Sequence, residues 1–179
     1  MGGKTLSSDY LTKSTYFTSR KDVYQLDSGK IVDPYYVVEI PDSVICMGIT
    51  DQGEVLLVKQ YRHPIQQMSF ELPGGFIDPG EDIQKAAARE IMEETGYAFT
   101  SFHALGKTSA NPGLISNYTH LYIALGGKKS AAQSLDENEE IEIIHASIPE
   151  IKHMMNRGEI IQSLHEVCIH RGLAFLENQ

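Results

Sequence analysis

The 179 residues suffice for one domain with a sizeable core, and their 41% hydrophobic and 22% charged shares are ordinary for a globular protein. A formal net charge of −9, from 15 Lys and Arg against 24 Asp and Glu, would repel a polyanion such as DNA over most of the surface. The longest apolar runs, such as Val44–Ile49, are too short to cross a bilayer, and residues 1–19 lack a signal-peptide core. The expectations are no nucleic acid, no membrane and a cytoplasmic location. An anionic small substrate remains open if cations mediate its contact, which calls for clustered carboxylates.

In chain order, residues 1–20 are polar, carry the aromatic pair Tyr16-Phe17, and read as an arm. Asp22–Leu26 and Tyr35–Ile40 are β-rich around the turn Asp27-Ser28-Gly29. Ser43–Thr50 and Glu54–Tyr61 are apolar and β-branched, and Asp51-Gln52-Gly53 between them predicts a hairpin. A short strand, Met68–Leu72, runs into Pro73-Gly74-Gly75. The clearest helix spans Asp82–Thr95, with Gly96 as its C-terminal cap. Strands are predicted at Ala98–Gly106, His120–Leu125 and Ile141–Ala146, with an acidic stretch, Lys128–Glu140, before the last. Ser147 and Glu150 have capping-box spacing for a short helix, and a final helix is expected over about Glu159–Leu176. Strands with one inserted helix and helices at the end predict a mixed α/β sandwich.

Between Gly75 and Tyr97 the sequence reads GFIDPGEDIQKAAAREIMEETGY. Glu90 and Glu94 stand one helical turn apart on a shared face, with Glu93 beside them, and Ile83, Ala87, Ala88 and Ile91 form a neighbouring apolar arc. Like charges at this spacing destabilise a helix, so a converging set needs cations, and hard oxygen ligands favour Mg²⁺, Mn²⁺ or Ca²⁺. Arg89, four residues before Glu93, can pin that carboxylate, and Gly74-Gly75 permits close backbone approach. Carboxylates alone would fit a solvated helix face.

The spacing goes further. The segment resembles the Nudix box, G-x5-E-x7-R-E-U-x-E-E-x-G-U with U apolar, through Gly75, Glu81, Arg89, Glu90, Glu93, Glu94 and Gly96. Ile91 fills the first apolar position and Tyr97 the second, where an aliphatic residue is usual. At about one chance in fifteen per fixed position, seven matches amount to about 10⁻⁸ per starting point.

The resemblance implies an α/β (α+β) Nudix fold, a mixed sheet sandwiched between helices. It also implies an N-terminal β-rich dimerisation region, residues 1–40, ahead of a Nudix domain at 41–179. It implies an enzyme that uses Mg²⁺ or Mn²⁺ to cleave the pyrophosphate bond of a nucleoside diphosphate linked to another moiety. By position, Glu90 and Glu94 resemble metal ligands, Glu93 a further one, and Arg89 the residue that orients them. Glu81 would hold the loop before the helix, and the Gly74 carbonyl would complete the metal shell.

Val58-Lys59-Gln60-Tyr61-Arg62 followed by Glu71-Leu72-Pro73-Gly74-Gly75 is similar to ADP-ribose pyrophosphatases and nucleoside diphosphate sugar hydrolases. Arg62 would then contact substrate phosphate or sugar, as a planar fork suits phosphate oxygens. Asn111-Pro112-Gly113 lies where those enzymes also carry a Pro, which makes Pro112 and Gly113 substrate-site candidates. Asn117 stands where ADP-ribose-specific members often have Glu, which leaves room for other diphosphate sugars. In Asp136-Glu137-Asn138-Glu139-Glu140, similar acidic loops make Glu137 the general base, with Glu93 and Arg89 as the other catalytic residues, and Glu139 a further metal ligand. ADP-ribose would yield AMP and ribose 5-phosphate, and a homodimer would complete each pocket. The alternatives are a Nudix hydrolase of nucleoside triphosphates, dinucleotides or capped RNA, and a non-catalytic module that binds ADP-ribose.

The seven histidines show no ligand spacing, so each is expected to be a surface or structural residue. Cys46 and Cys168 form no CxxC pair and are expected as buried thiols.

Overall fold

The computed structural model describes residues 2–14 and 17–178, so Tyr16 of the aromatic pair lies outside the described residues. The chain forms two compact units, Met1–Asp42 with Ser109–Tyr118, and Ser43–Thr108 with Thr119–Gln179.

The first unit is built on an antiparallel sheet of β1 (Gly3–Thr12), β2 (Thr18–Leu26) and β3 (Ile31–Glu39), in that order. This corrects the expectation of an arm over residues 1–20. Hydrophobicity gave no signal for β1, GKTLSSDYLT, because every one of its residues is exposed. The strand is held instead by main-chain pairing along β2, from Gly3 opposite Leu26 to Thr12 opposite Ser19. Asp27-Ser28-Gly29 does turn β2 into β3, with Leu26 N–H donating to Lys30 O at 2.9 Å. The segment Ser109–Tyr118 is tied to the unit through Val38 N–H to Leu114 O at 2.8 Å and Ser116 N–H to Val38 O at 3.0 Å.

The second unit carries an eight-stranded mixed sheet. Its strands are β4 (Ser43–Thr50), β5 (Val55–Arg62), β6 (Gln67–Glu71), β7 (Gly74–Phe76), β8 (Tyr97–Ala98), β9 (Ser101–Thr108), β10 (Thr119–Lys129) and β11 (Glu142–Ala146). The order β11-β5-β4-β10-β8 forms the spine, with β6 on β5, β7 on β4 and β9 on β10. β4 and β10 pair in parallel, and the remaining pairs are antiparallel.

Alternation along β4 sends its side chains to two cores, as a strand buried on both faces requires. Ile45, Met47 and Ile49 join the larger cluster with α2 (Ile148–Asn156) and α3 (Ser163–Glu177), through Ile151, Leu164, Cys168 and Ile169. Val44 and Cys46 join the smaller cluster with α1 (Ile83–Thr95), through Ala86, Ala87 and Ile91. The sheet is thus sandwiched between helices. The buried stripe of α1 includes Ala86 rather than Ala88, a rotation that turns Glu94 inward as well. Ser147 and Glu150 form the expected capping box on α2, and both cysteines are free and buried. Burial pushes the Cys168 thiol up to about 12, so it acts as a packing group. Among the described residues, no helix is long and apolar enough to cross a membrane.

Candidate active site

The site grows from α1 and the turn that precedes it, all within the second unit. Asp82 opens the helix by accepting from Lys85 N–H at 3.1 Å. Gly96 closes it at φ 69°, a left-handed conformation that suits glycine, and donates to Met92 O. Glu93 and Glu94 lie in the last turn, against the negative end of the helix dipole, and that turn holds no basic residue. The segment after β10 offsets this. Lys129 Nζ donates to Thr95 O at 2.6 Å and Gln133 Nε2 to Glu94 O at 2.7 Å. Backbone N–H groups of Ser134 and Ser130 cap Glu93 O and Gly96 O. These bonds also anchor the start of the acidic loop at the carboxylate-bearing end of the helix.

Arg89 is the hub. Its Nε and Nη2 grip Glu81 as a fork, both at 2.9 Å, and Nη2 also donates to Phe76 O at 3.1 Å. Its Nη1 donates to Glu90 at 2.8 Å and to Glu93 at 3.1 Å. One planar cation therefore sets the orientation of three carboxylates. Glu81 also closes the loop on itself, accepting from Asp78 N–H at 3.1 Å. Arg89→Lys, which cannot reproduce two edges of donors, is expected to lower activity about 10–100-fold, as loss of groups that orient metal ligands does. Metal titration against activity checks this, and unchanged metal dependence would refute the orienting role.

Glu90 lies directly against Gly75, where an added Cβ would sit 2.5–2.6 Å from its carboxylate atoms. Glycine is needed there for that close approach. Glu94 is 4% exposed and accepts from Gly74 N–H at 3.1 Å. Burial pushes its carboxyl well up, Gly74 opposes this, and the charges of Glu90 and Glu139 push the same way as burial. Burial likewise raises Glu90, against the pull of Arg89 and with the repulsion of Glu93 and Glu139.

A buried and a half-buried carboxylate that repel each other, with the charge of a third from the loop acting on both, fit a hard divalent cation. Among the described residues no three His, Cys, Asp or Glu stand as a group that could hold an ion unaided. The remaining positions of a hard divalent cation would fall to backbone oxygen, water and ligand oxygen.

Arg62, at the end of β5, turns back along β6. Its Nε donates to Glu71 Oε1 at 2.8 Å and its Nη2 to Oε2 at 2.5 Å. The charges of Glu94 and Glu139 also act on the same guanidinium. Glu139 accepts from Asp136 N–H at 3.2 Å and donates its own N–H to Asp136 O at 3.0 Å. That turn carries Glu137, exposed, at its tip. Pro112, Gly113 and Asn117 belong to the first unit. There Gly113 O accepts from Tyr35 Oη at 2.5 Å, and buried Asn117 donates to Pro41 O at 3.1 Å.

A profile of the NUDIX domain matches residues 39–164. The chain belongs to the Nudix family. With every fixed position of the box filled, it is an enzyme of the pyrophosphohydrolase class. Nudix hydrolases generally use divalent metal ions. A protein from Bacillus methanolicus named methanol dehydrogenase activator is 30% identical over 89% of this chain and 86% of its own. An ADP-ribose pyrophosphatase from Mycobacterium tuberculosis is 30% identical over 90% of this chain and 78% of its own. A crystal structure of an ADP compounds hydrolase superposes with a TM-score of 0.87, covering 100% of this chain and 96% of that one at 20% identity, and so shows the Nudix fold.

The box residues come together as their spacing implied. Sequence reasoning missed Glu71 and His165, which lie beneath Arg62. Glu71 could have been found from the paired strands, since an acid inside a buried run needs a cation and Arg62 lies across the turn. His165 gave no signal, because its partner Leu72 is 93 residues away in sequence.

Proposed function

We propose that this Nudix enzyme hydrolyses the pyrophosphate bond of ADP-ribose or a related nucleoside diphosphate sugar with Mg²⁺ or Mn²⁺, giving a nucleoside monophosphate and a sugar phosphate. The Glu90–Glu94 pair, with Glu90 held by Arg89, Glu94 buried on Gly74 N–H, and the charges of Glu139 and Arg62 acting on Glu94, carries the reading. The relative named ADP-ribose pyrophosphatase supports the substrate class.

Glu90 and Glu94 would hold the divalent ion, with Glu93, Glu139 and the Gly74 carbonyl adding oxygen ligands. When bound, the ion neutralises charge on the diphosphate and acidifies a water. Arg89 keeps Glu90 and Glu93 turned toward that position. Arg62, its Nε and Nη2 held by Glu71, has Nη1 left to meet the substrate's phosphate oxygens. Glu137, on its exposed turn, takes the proton from the attacking water, and the turn can close over substrate to bring it there. Pro112, Gly113 and Asn117 are proposed as substrate contacts, on the resemblance alone. The exposed Leu6, Tyr10, Leu11, Phe17 and Tyr36 of that unit support a homodimer, for which a monomer by light scattering would be the refutation. The two free cysteines suit a cytoplasmic location.

The test is product release from ADP-ribose, other diphosphate sugars, NADH, diadenosine polyphosphates and nucleoside triphosphates, with Mg²⁺ and with chelator. Chelator-sensitive cleavage led by ADP-ribose or a diphosphate sugar is expected. Triphosphates leading would keep the chemistry and overturn the substrate class. Binding of ADP-ribose without turnover of any substrate would favour a sensing module.

A further inference from the structure

Beneath Arg62 lies a chain of buried groups that the box does not include. Glu71 at the end of β6 is 2% exposed, and His165 in the first turn of α3 is 5% exposed. Leu72 N–H donates to His165 Nδ1 at 3.0 Å, so Nδ1 carries no proton. The ring is therefore neutral and holds its proton on Nε2, which lies 3.3 Å from Glu71 Oε2. That contact is a hydrogen bond donated to the carboxylate. The same oxygen accepts from Arg62 Nη2, and the other accepts from Arg62 Nε.

We propose that His165 is a positioning residue for catalysis, which fixes the plane of the Glu71 carboxylate and through it the aim of the Arg62 guanidinium. The terminal torsion of a glutamate is broad, so Arg62 and Glu71 alone could swing together. A second donor, itself locked by a backbone N–H of the next residue, removes that freedom. Arg62 is the exposed member of the three, with 46% of its side chain exposed, and the charges of Glu94 and Glu139 act on it. Burial alone would raise the Glu71 carboxyl, and the bonds from Arg62 and His165 instead hold it well below the usual carboxylate range. The chain is thus ionised at Glu71, with its one cation, Arg62, at the exposed end and no net charge overall. This inference rests on the proposed contact of Arg62 with the substrate diphosphate.

Two substitutions separate positioning from packing. In His165→Asn, the side-chain carbonyl replaces Nδ1 as acceptor for Leu72 N–H, and the donor to Glu71 is lost. In His165→Gln, the amide N–H replaces Nε2 as donor to Glu71, and Leu72 N–H is left without its acceptor. Positioning predicts that the Asn variant melts close to wild type yet loses about tenfold in kcat/KM, chiefly as a rise in KM. The Gln variant is expected to melt lower and to stay within about twofold of wild-type kcat/KM at a temperature where both are folded. A purely structural role predicts the reverse ranking, with activity following melting temperature.

The Arg62 Nε–H resonance, observed by ¹⁵N NMR without substrate, supplies a readout independent of turnover. It is expected to be sharp and slowly exchanging in wild type and the Gln variant, and lost to exchange in the Asn variant. An unchanged resonance in the Asn variant overturns the inference. Wild-type protein inactive on every diphosphate would instead overturn the proposed function, with the resonance still deciding the positioning.

Discussion

Glu94→Gln is expected to lower turnover by about 10³-fold, the size of a metal-supplied stabilisation of several kcal/mol. Gln keeps the shape and an amide oxygen for the Gly74 N–H, so the fold should survive. The metal-free variant should in fact melt higher than metal-free wild type at neutral pH. Wild type buries Glu94 with its carboxyl pushed well above 4.5, by burial first and by Glu90 and Glu139 next. A carboxyl raised in the folded state favours folding while protonated. That contribution is full below about pH 4.5, the unfolded value, and is lost as pH rises through the folded value. The stability gap between variant and wild type should therefore open as pH rises above 4.5 and close below it. Adding Mg²⁺ should stabilise wild type and leave the variant nearly unchanged. Melting curves against pH, with chelator and with Mg²⁺, test this together with turnover. Unchanged turnover would remove Glu94 from the metal site.

Replacement of Glu137 by Gln should reduce kcat by about 10²–10⁴-fold, the range for loss of a general base. Its exposure at the tip of the Asp136–Glu139 turn means that the fold, the KM and the metal requirement should hardly move. Glu139→Gln should behave differently. Glu139 faces Glu90 and Glu94 electrostatically and also accepts from Asp136 N–H. Its loss should raise the Mg²⁺ concentration needed for half-maximal rate, and ample Mg²⁺ should restore much of kcat. Metal titrations of both variants decide the matter. If the two exchange behaviours, Glu139 is the base and Glu137 the ligand.

The box was legible because helical period and chemistry reinforce each other. Arg89 reaches Glu93 one turn away, and the same period brings Glu90 and Glu94 together. The Asp51-Gln52-Gly53 hairpin and the Ser147–Glu150 cap were legible for the same reason, since neighbours in sequence settle them. β1 was illegible because an exposed strand held by main-chain bonds leaves no hydrophobic alternation. Arg62 read as a substrate ligand, and its fork with Glu71 was illegible because it depends on two strands folding back on each other. His165 depends on a helix delivered from the far end of the chain, which no local pattern encodes.

The parallel pairing of β4 with β10 bears on how the enzyme comes into being. α1 sits in sequence between these two strands, yet its apolar stripe packs on Ala124 of β10 as well as on Val44 and Cys46 of β4. Parallel neighbours are joined by long crossovers, and contacts so distant along the chain close slowly. A growing polypeptide will have released the whole box long before the second wall of its seat exists. The caps from Lys129, Ser130, Gln133 and Ser134 arrive later still. The catalytic helix thus waits for the middle of the sheet to close, and regained activity after refolding times that closure.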